Sequence, residues 1–242
     1  MKIAYVFHGH TRTWKDCYQS FFDNVYAVAP GDIYIHTWDR VNSMYGSFWN
    51  KVFDRLGGEY EEISAQTPDL DFIKKIYKPK YMLVERDLGI ELAYTELPQL
   101  RNIKATVSHI GAYNMVRGQW QVFQMAKQTS NYDRYFSCRF DLSFPNQLDI
   151  TELHQEEFMM VPPTFTDYND PRTEMIFDIF AFGTEKIMEL RANFYHKIWD
   201  YWYSRGDVTG GYYLEHAATK YFRDSGIQAR PSSLYFDIKR LF

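Results

Sequence analysis

The chain has 242 residues, 45% of them apolar and 24% charged, so it is long enough for one large α/β domain and apolar enough to bury a core. Its net charge is −4 and it has no Lys/Arg run, which removes the basic face that duplex nucleic acid needs; Cys17 and Cys138 are far apart and lack C-x-x-C spacing, which argues against a disulfide framework or a structural zinc site. The opening MKIAYVFHGHTRTW is too short an apolar run for a signal peptide or a membrane span, and no later stretch approaches ~18 apolar residues, so the expectation is a cytoplasmic protein with no transmembrane segment.

In chain order, KIAYVFHGH (2–10) reads as a buried strand that stops in a Gly-containing loop. Residues 13–30 follow at near-helical spacing and end at Pro30-Gly31. DIYIHTW (32–38) is a second short strand, residues 41–56 look helical before Gly57-Gly58, and PKYMLVE (79–85) is a third strand. Residues 86–105 lack periodicity and predict a loop over one end of the sheet. Residues 107–128 are helical in pattern, although Gly118 is a weak helix former.

The next segment, Tyr132 to Phe140, is a strand with an unusual end. YFSCRFDLSF (135–144) sets Arg139 and Asp141 in an aromatic run, where charge is costly unless paired or ligated. The two residues share a face of the strand. They are either an ion pair that supports two strands or groups presented to a ligand. EEFMMVPP (156–163) and MIFDIFAFG (175–183) are further strands, and the last residues of the second are expected at the carboxyl edge of the sheet. A long helix at 184–202, capped by Thr184, a helix at 212–223 and a last strand near SLYFDI (233–238) complete the pattern. Strands alternating with helices predict an α/β fold: a mostly parallel sheet with helices on both faces. Without repeats or a clear linker, residues 1–242 read as one domain.

Open parallel sheets bind ligands beyond the carboxyl ends of their strands. HGHTRT (8–13), HTWD (36–39) and RFD (139–141) all fall at such ends. The first loop is neither a G-x-G-x-x-G nor a Walker A loop, yet its backbone N–H groups, His8, His10 and Arg12 suit a pyrophosphate. Asp141 at a strand end suits a hard divalent ion if another carboxylate is nearby. The histidines lack H-x-x-x-H spacing and no G-x-S-x-G elbow occurs, which counts against a zinc protease and a serine hydrolase. The aromatic share of 19% fits either ring-rich packing or a ring-lined cleft.

The ordered set of FHGHTRTW, GDIYIHTWD, AYNMVRGQW, YDRYFSCRFDLSF and FDIFAFGTEKIMEL resembles a family of small GT-A-type glycosyltransferases found in large DNA viruses, bacteria and polysaccharide or lipopolysaccharide gene clusters. The resemblance spans residues 3 to 190, with a weaker echo at LEHAATKYF (214–222). Gly9, Arg12 and Thr13 match its first motif, and Asp32, His36, Thr37 and Trp38 its second. Tyr113 and Arg117 match its helix, with Asn114 in place of Ser. Arg139 and Asp141 match R-x-D, and Asp178 with Phe182-Gly183 matches D-x-x-F-G.

The resemblance implies a single-domain GT-A-like, Rossmann-like fold, with a nucleotide-binding half at about 1–145 and an acceptor half at about 146–242, and a metal-dependent enzyme that moves a sugar from a UDP- or GDP-sugar to a glycan acceptor. Asp141 would hold Mn²⁺ or Mg²⁺. Arg139 and Arg117 would face phosphate or donor-sugar oxygens. His8, Gly9, His10 and Arg12 would approach the nucleotide, and Thr37 and Trp38 would bound its base or ribose. Most GT-A enzymes carry D-x-D, so with Arg139 in the first position one metal ligand is missing or comes from elsewhere. The catalytic base is expected among Asp178, Asp207, Glu215 and His216, with Asp178 and Glu215 foremost. His216 reads either as a helix-surface histidine or as a C-terminal metal ligand. The alternatives are a non-catalytic nucleotide- or carbohydrate-binding module and a nucleotidyltransferase.

Overall fold

The computed structural model describes residues 1–11, 13–39, 67–86, 107–163, 179–203 and 214–239, with residues 107–112, 202, 203, 215 and 216 described by backbone alone. The expected helix at 41–56 and the loop at 87–105 lie outside the described residues.

Apolar, β-branched and aromatic runs form the first strands, β1 (Ile3–His8), β2 (Asp32–Trp38) and β3 (Tyr81–Glu85). Between them lie α1 (Trp14–Phe21), continued by a π-helical turn at Phe22–Tyr26, and α2 (Leu70–Tyr77). The long helix α3 (Val107–Thr129) leads to β4 (Arg134–Arg139) and the two-residue β5 (Leu142–Ser143). There follow β6 (Phe158–Val161), β7 (Phe180–Gly183), α4 (Glu185–Ala192), α5 (Phe194–Tyr203), α6 (Leu214–Asp224), β8 (Gln228–Pro231) and β9 (Asp237–Ile238).

Among the described residues, seven strands form one mixed, mostly parallel sheet in the order β3-β2-β1-β4-β7-β6-β8. Of these strands only β7 runs against its neighbours, β4 and β6. Residues from the first 145 positions and from the remainder share this sheet, giving the Rossmann-like α/β architecture expected from the strand–helix alternation.

Both faces are covered. Ala4, Val6, Tyr34, Tyr135 and Ala181 pack under residues of α3, α4, α5 and α6. Tyr5, Phe7, Ile35, Phe136, Phe180 and Phe182 pack under α1 and α2. This second layer uses much of the aromatic content: Phe136 stacks on Phe182 at 5.0 Å and 8°, and Phe7 meets Phe21 edge-on at 4.9 Å. Each such ring contributes about 1.5–3 kcal/mol through burial, so among the described residues ring-rich packing accounts for the aromatic residues of these two layers.

Four details depart from the sequence pattern. Helix α2 was not expected; Asp69 caps it by accepting the Phe72 N–H at 3.1 Å, and Lys78 closes it in the left-handed region at φ 44°. The helix expected over 184–202 breaks at Asn193 into α4 and α5. The last strand of the main sheet is β8, while SLYFDI contributes only β9, which pairs with β5. Finally, β7 is antiparallel, so Gly183 lies opposite Tyr135 near the amino edge, and the chain enters β7 at Phe180 opposite Cys138, near the carboxyl edge. No helix among the described residues is long and apolar enough to cross a membrane.

Candidate functional site

The carboxyl ends of β2, β1 and β4 bring three predicted residues into one row: His8 is in register with His36 on one side and Arg139 on the other. One neighbour further, Trp38 is in register with Glu85 at the end of β3. In-register residues of parallel strands point to the same face, so His8, His36 and Arg139 all face the side covered by α3.

The first loop is tied down at its start. Gly9 has φ +99°, a conformation that favours glycine, and its carbonyl accepts the Thr37 hydroxyl at 2.9 Å. That bond joins the ends of β1 and β2 and uses the Thr37 hydroxyl. Trp38 is buried, with its ring 6.3 Å from His10 and edge-on to His36 at 4.9 Å. Arg12 lies outside the described residues.

Arg139 and Asp141 form the pair that the strand pattern allowed. The Arg139 Nε donates to Asp141 Oδ1 at 2.8 Å, and its Nη2 donates to Oδ2. Phe140, between them, points the other way and packs on Phe7 at 5.3 Å and Tyr77 at 5.8 Å. The segment is held from behind, because β5 pairs with β9 and the Lys239 N–H donates to the Asp141 carbonyl at 2.9 Å. The Thr13 hydroxyl in turn donates to the Lys239 carbonyl at 2.6 Å, linking the start of α1 to the same support.

A second polar cluster was not legible as such. Arg117 on α3 donates to Glu85 through Nη1 at 2.5 Å and Nη2 at 2.9 Å. His36 Nε2 donates to the same carboxylate at 2.8 Å, and Gln121 Nε2 at 3.2 Å. Burial raises the Glu85 pKa, but the hydrogen bonds from His36 and Arg117 outweigh it and bring it down to about 2. Glu85 is therefore ionised and a weak base at neutral pH. The available signal was a strand ending in one carboxylate, with Arg117 and Gln121 spaced i,i+4 on a helix.

Gly118 explains itself in this setting. A methyl group there would sit 2.8 Å from His36 Nδ1, and His36 is fully buried between its neighbours. Gly118→Ala is expected to lower stability by about 1–3 kcal/mol, the usual cost of overpacking, measured by urea unfolding. An unchanged midpoint would mean that the helix can lift off His36 freely.

His8 is 1% exposed, and among the described residues neither ring nitrogen has a hydrogen-bond partner. Burial, then the charges of Arg191, Arg139 and His36, hold its pKa well below the usual 6.5. Arg191 comes from α4, where its Nη1 donates to Ser137 at 3.1 Å. The unfolded chain takes up a proton at His8 near pH 6.5, whereas the folded chain does not. Stability is thus fully present above pH 6.5 and declines as pH falls towards the folded-state pKa, with a slope of up to about 1.4 kcal/mol per pH unit. His8→Phe is expected to flatten that decline in chemical denaturation between pH 7 and pH 5. An equally steep decline in the variant would assign the effect to other groups.

Of the remaining predicted residues, Asp178 and Asp207 lie outside the described residues. Glu215 and His216 lie in the first turn of α6, and their side chains are not described. Asp32, part of the second motif, sits at the opposite, amino edge, where it accepts from Lys80 at 2.9 Å and from the Tyr132 hydroxyl at 2.5 Å. A cavity of about 320 Å³ opens at that edge between Phe22, Tyr26, Asp32, Tyr77 and Lys80, away from the His8 row.

Among the described residues the donor set for a divalent ion is incomplete. Both Asp141 oxygens accept from Arg139, and among the described residues no three His, Cys, Asp or Glu side chains converge to hold a metal. An ion at Asp141 would compete with Arg139 for that carboxylate. No protein-family model matches the chain, and no curated protein matches it.

Proposed function

We propose that this chain is a nucleotide-sugar-dependent glycosyltransferase that moves a sugar from a UDP- or GDP-sugar to a hydroxyl group of a glycan acceptor. One observation carries the proposal. Residues from motifs spread between His8 and Asp141 end on adjacent strands at one edge, with His8, His36 and Arg139 in a single register row. A carboxyl edge built this way is where an open α/β sheet takes a nucleotide.

Transfer places growing negative charge on the departing diphosphate, and fixed cations at that point stabilise it. Arg139 and Arg117 are the cations proposed for this role, each already oriented by a carboxylate on two of its N–H groups. The positive-φ turn at Gly9 opens the first loop beside them. Proton removal from the acceptor hydroxyl falls to Asp178 or Glu215, because Glu85, with its pKa of about 2, is too weak a base. Mn²⁺ or Mg²⁺ remains the proposed cofactor.

The Arg139–Asp141 pair favours a second reading, a nucleotide- or carbohydrate-binding module in which the pair is a support. Incubation with UDP- and GDP-sugars separates the two. A transferase releases nucleoside diphosphate over time, faster with acceptor glycan present, and its dependence on Mn²⁺ is read in the same assay. Saturable binding with no release would favour the module.

A further inference from the structure

We infer that Glu85 is a positioning residue, whose carboxylate holds the Arg117 guanidinium and the His36 ring in one arrangement at the carboxyl edge so that Arg117 meets a nucleotide diphosphate already ordered. This rests on the transferase reading of that edge. A carboxylate has about four acceptor positions, and four donors occupy those of Glu85. His36 Nε2 and Arg117 Nη1 lie on Oε2, and Arg117 Nη2 and Gln121 Nε2 lie on Oε1. No acceptor position remains for a ligand hydroxyl, so Glu85 acts through the groups that it holds.

The donors come from separate elements. His36 belongs to β2, Glu85 to β3, and Arg117 with Gln121 to α3, so the carboxylate fastens the helix to the strand ends. Gly118 lets the helix approach closely enough, since any side chain there would strike His36. The hydrogen bond to Glu85 also places a proton of His36 on Nε2. Arg117 gives Glu85 one N–H from each terminal nitrogen, and this fork fixes the side chain. Fixing an arginine before the ligand arrives removes rotamer entropy that binding would otherwise lose.

The test compares UDP with uridine, and GDP with guanosine, by calorimetry. Glu85→Gln keeps the shape but turns one amide N–H₂ towards the guanidinium. It is expected to weaken diphosphate affinity about tenfold, close to 1.4 kcal/mol, while nucleoside affinity stays the same. In an Arg117→Ala background the same change should have no further effect. Arg117→Lys leaves a cation beside Glu85 but lacks the fork, and it should show the same tenfold loss even where the Glu85 variant folds poorly. Equal losses for nucleoside and diphosphate, or a full additional loss on top of Arg117→Ala, would make Glu85 a structural support and overturn the inference. Wild-type protein that binds neither diphosphate would overturn the transferase reading itself.

Discussion

Asp141→Asn is expected to reduce release of nucleoside diphosphate from a nucleotide-sugar by more than ~10²-fold and to lower unfolding free energy by about 3 kcal/mol. The stability effect follows from the pairing. The Asp141 side chain is 7% exposed and accepts twice from Arg139, so an amide leaves a partly buried guanidinium with one poor partner. The lower end of the range for a broken buried pair applies because Arg139 keeps 21% of its side-chain surface in water. Assays belong at a temperature where circular dichroism shows the variant folded. The double variant Arg139→Met/Asp141→Leu then separates support from function. Two apolar residues in place of the pair should recover most of the stability, and they should recover none of the turnover. A folded Asp141→Asn variant with wild-type turnover would reduce the pair to a strut between strands.

Asp178→Asn is the second change with a large expected effect, a loss of ~10²-fold or more in turnover with donor affinity nearly intact. Asp178 stands among apolar residues in MIFDIFAFG and immediately precedes Ile179, where the described chain resumes. The antiparallel direction of β7 matters here. Its first residue, Phe180, is paired with Cys138, next to Arg139, so the chain enters the strand at the edge that carries the proposed phosphate groups. Sequence reasoning placed the other end of this strand, at Gly183, on that edge. The base assignment keeps its motivation with the strand reversed. Titration of the donor into the variant distinguishes the roles: lost donor affinity with residual turnover would make Asp178 a sugar ligand and move the base to Asp207 or Glu215. Unchanged turnover would remove it from the chemistry.

What could be read in the sequence was local. The apolar runs of β1, β2 and β4 and the spacing of Arg139 and Asp141 on one face follow from side-chain period and burial alone. Strand direction does not, because a buried strand shows the same apolar run whether it is parallel or antiparallel to its neighbours. The Glu85 cluster was hidden for another reason. Its partners lie 32, 36 and 49 positions away, and a lone glutamate ending PKYMLVE looks like a solvated strand end until α3 is laid across it. Gly118 likewise looked like a blemish in a helix, and only its approach to His36 gives it a purpose. The pairing of Arg139 with Asp141 was one of two open readings, and the structure realises the pair.

The central claim is that the carboxyl edge around His8, His36, Arg117 and Arg139 binds the diphosphate of a nucleotide-sugar. Calorimetric titration of UDP, GDP and CMP into the wild-type chain, with and without Mn²⁺, addresses it directly. The expected result is saturable binding of a nucleoside diphosphate that strengthens with Mn²⁺ and weakens when Arg139 is replaced by Ala. Binding of sugar alone, with no nucleotide bound under either condition, would contradict it.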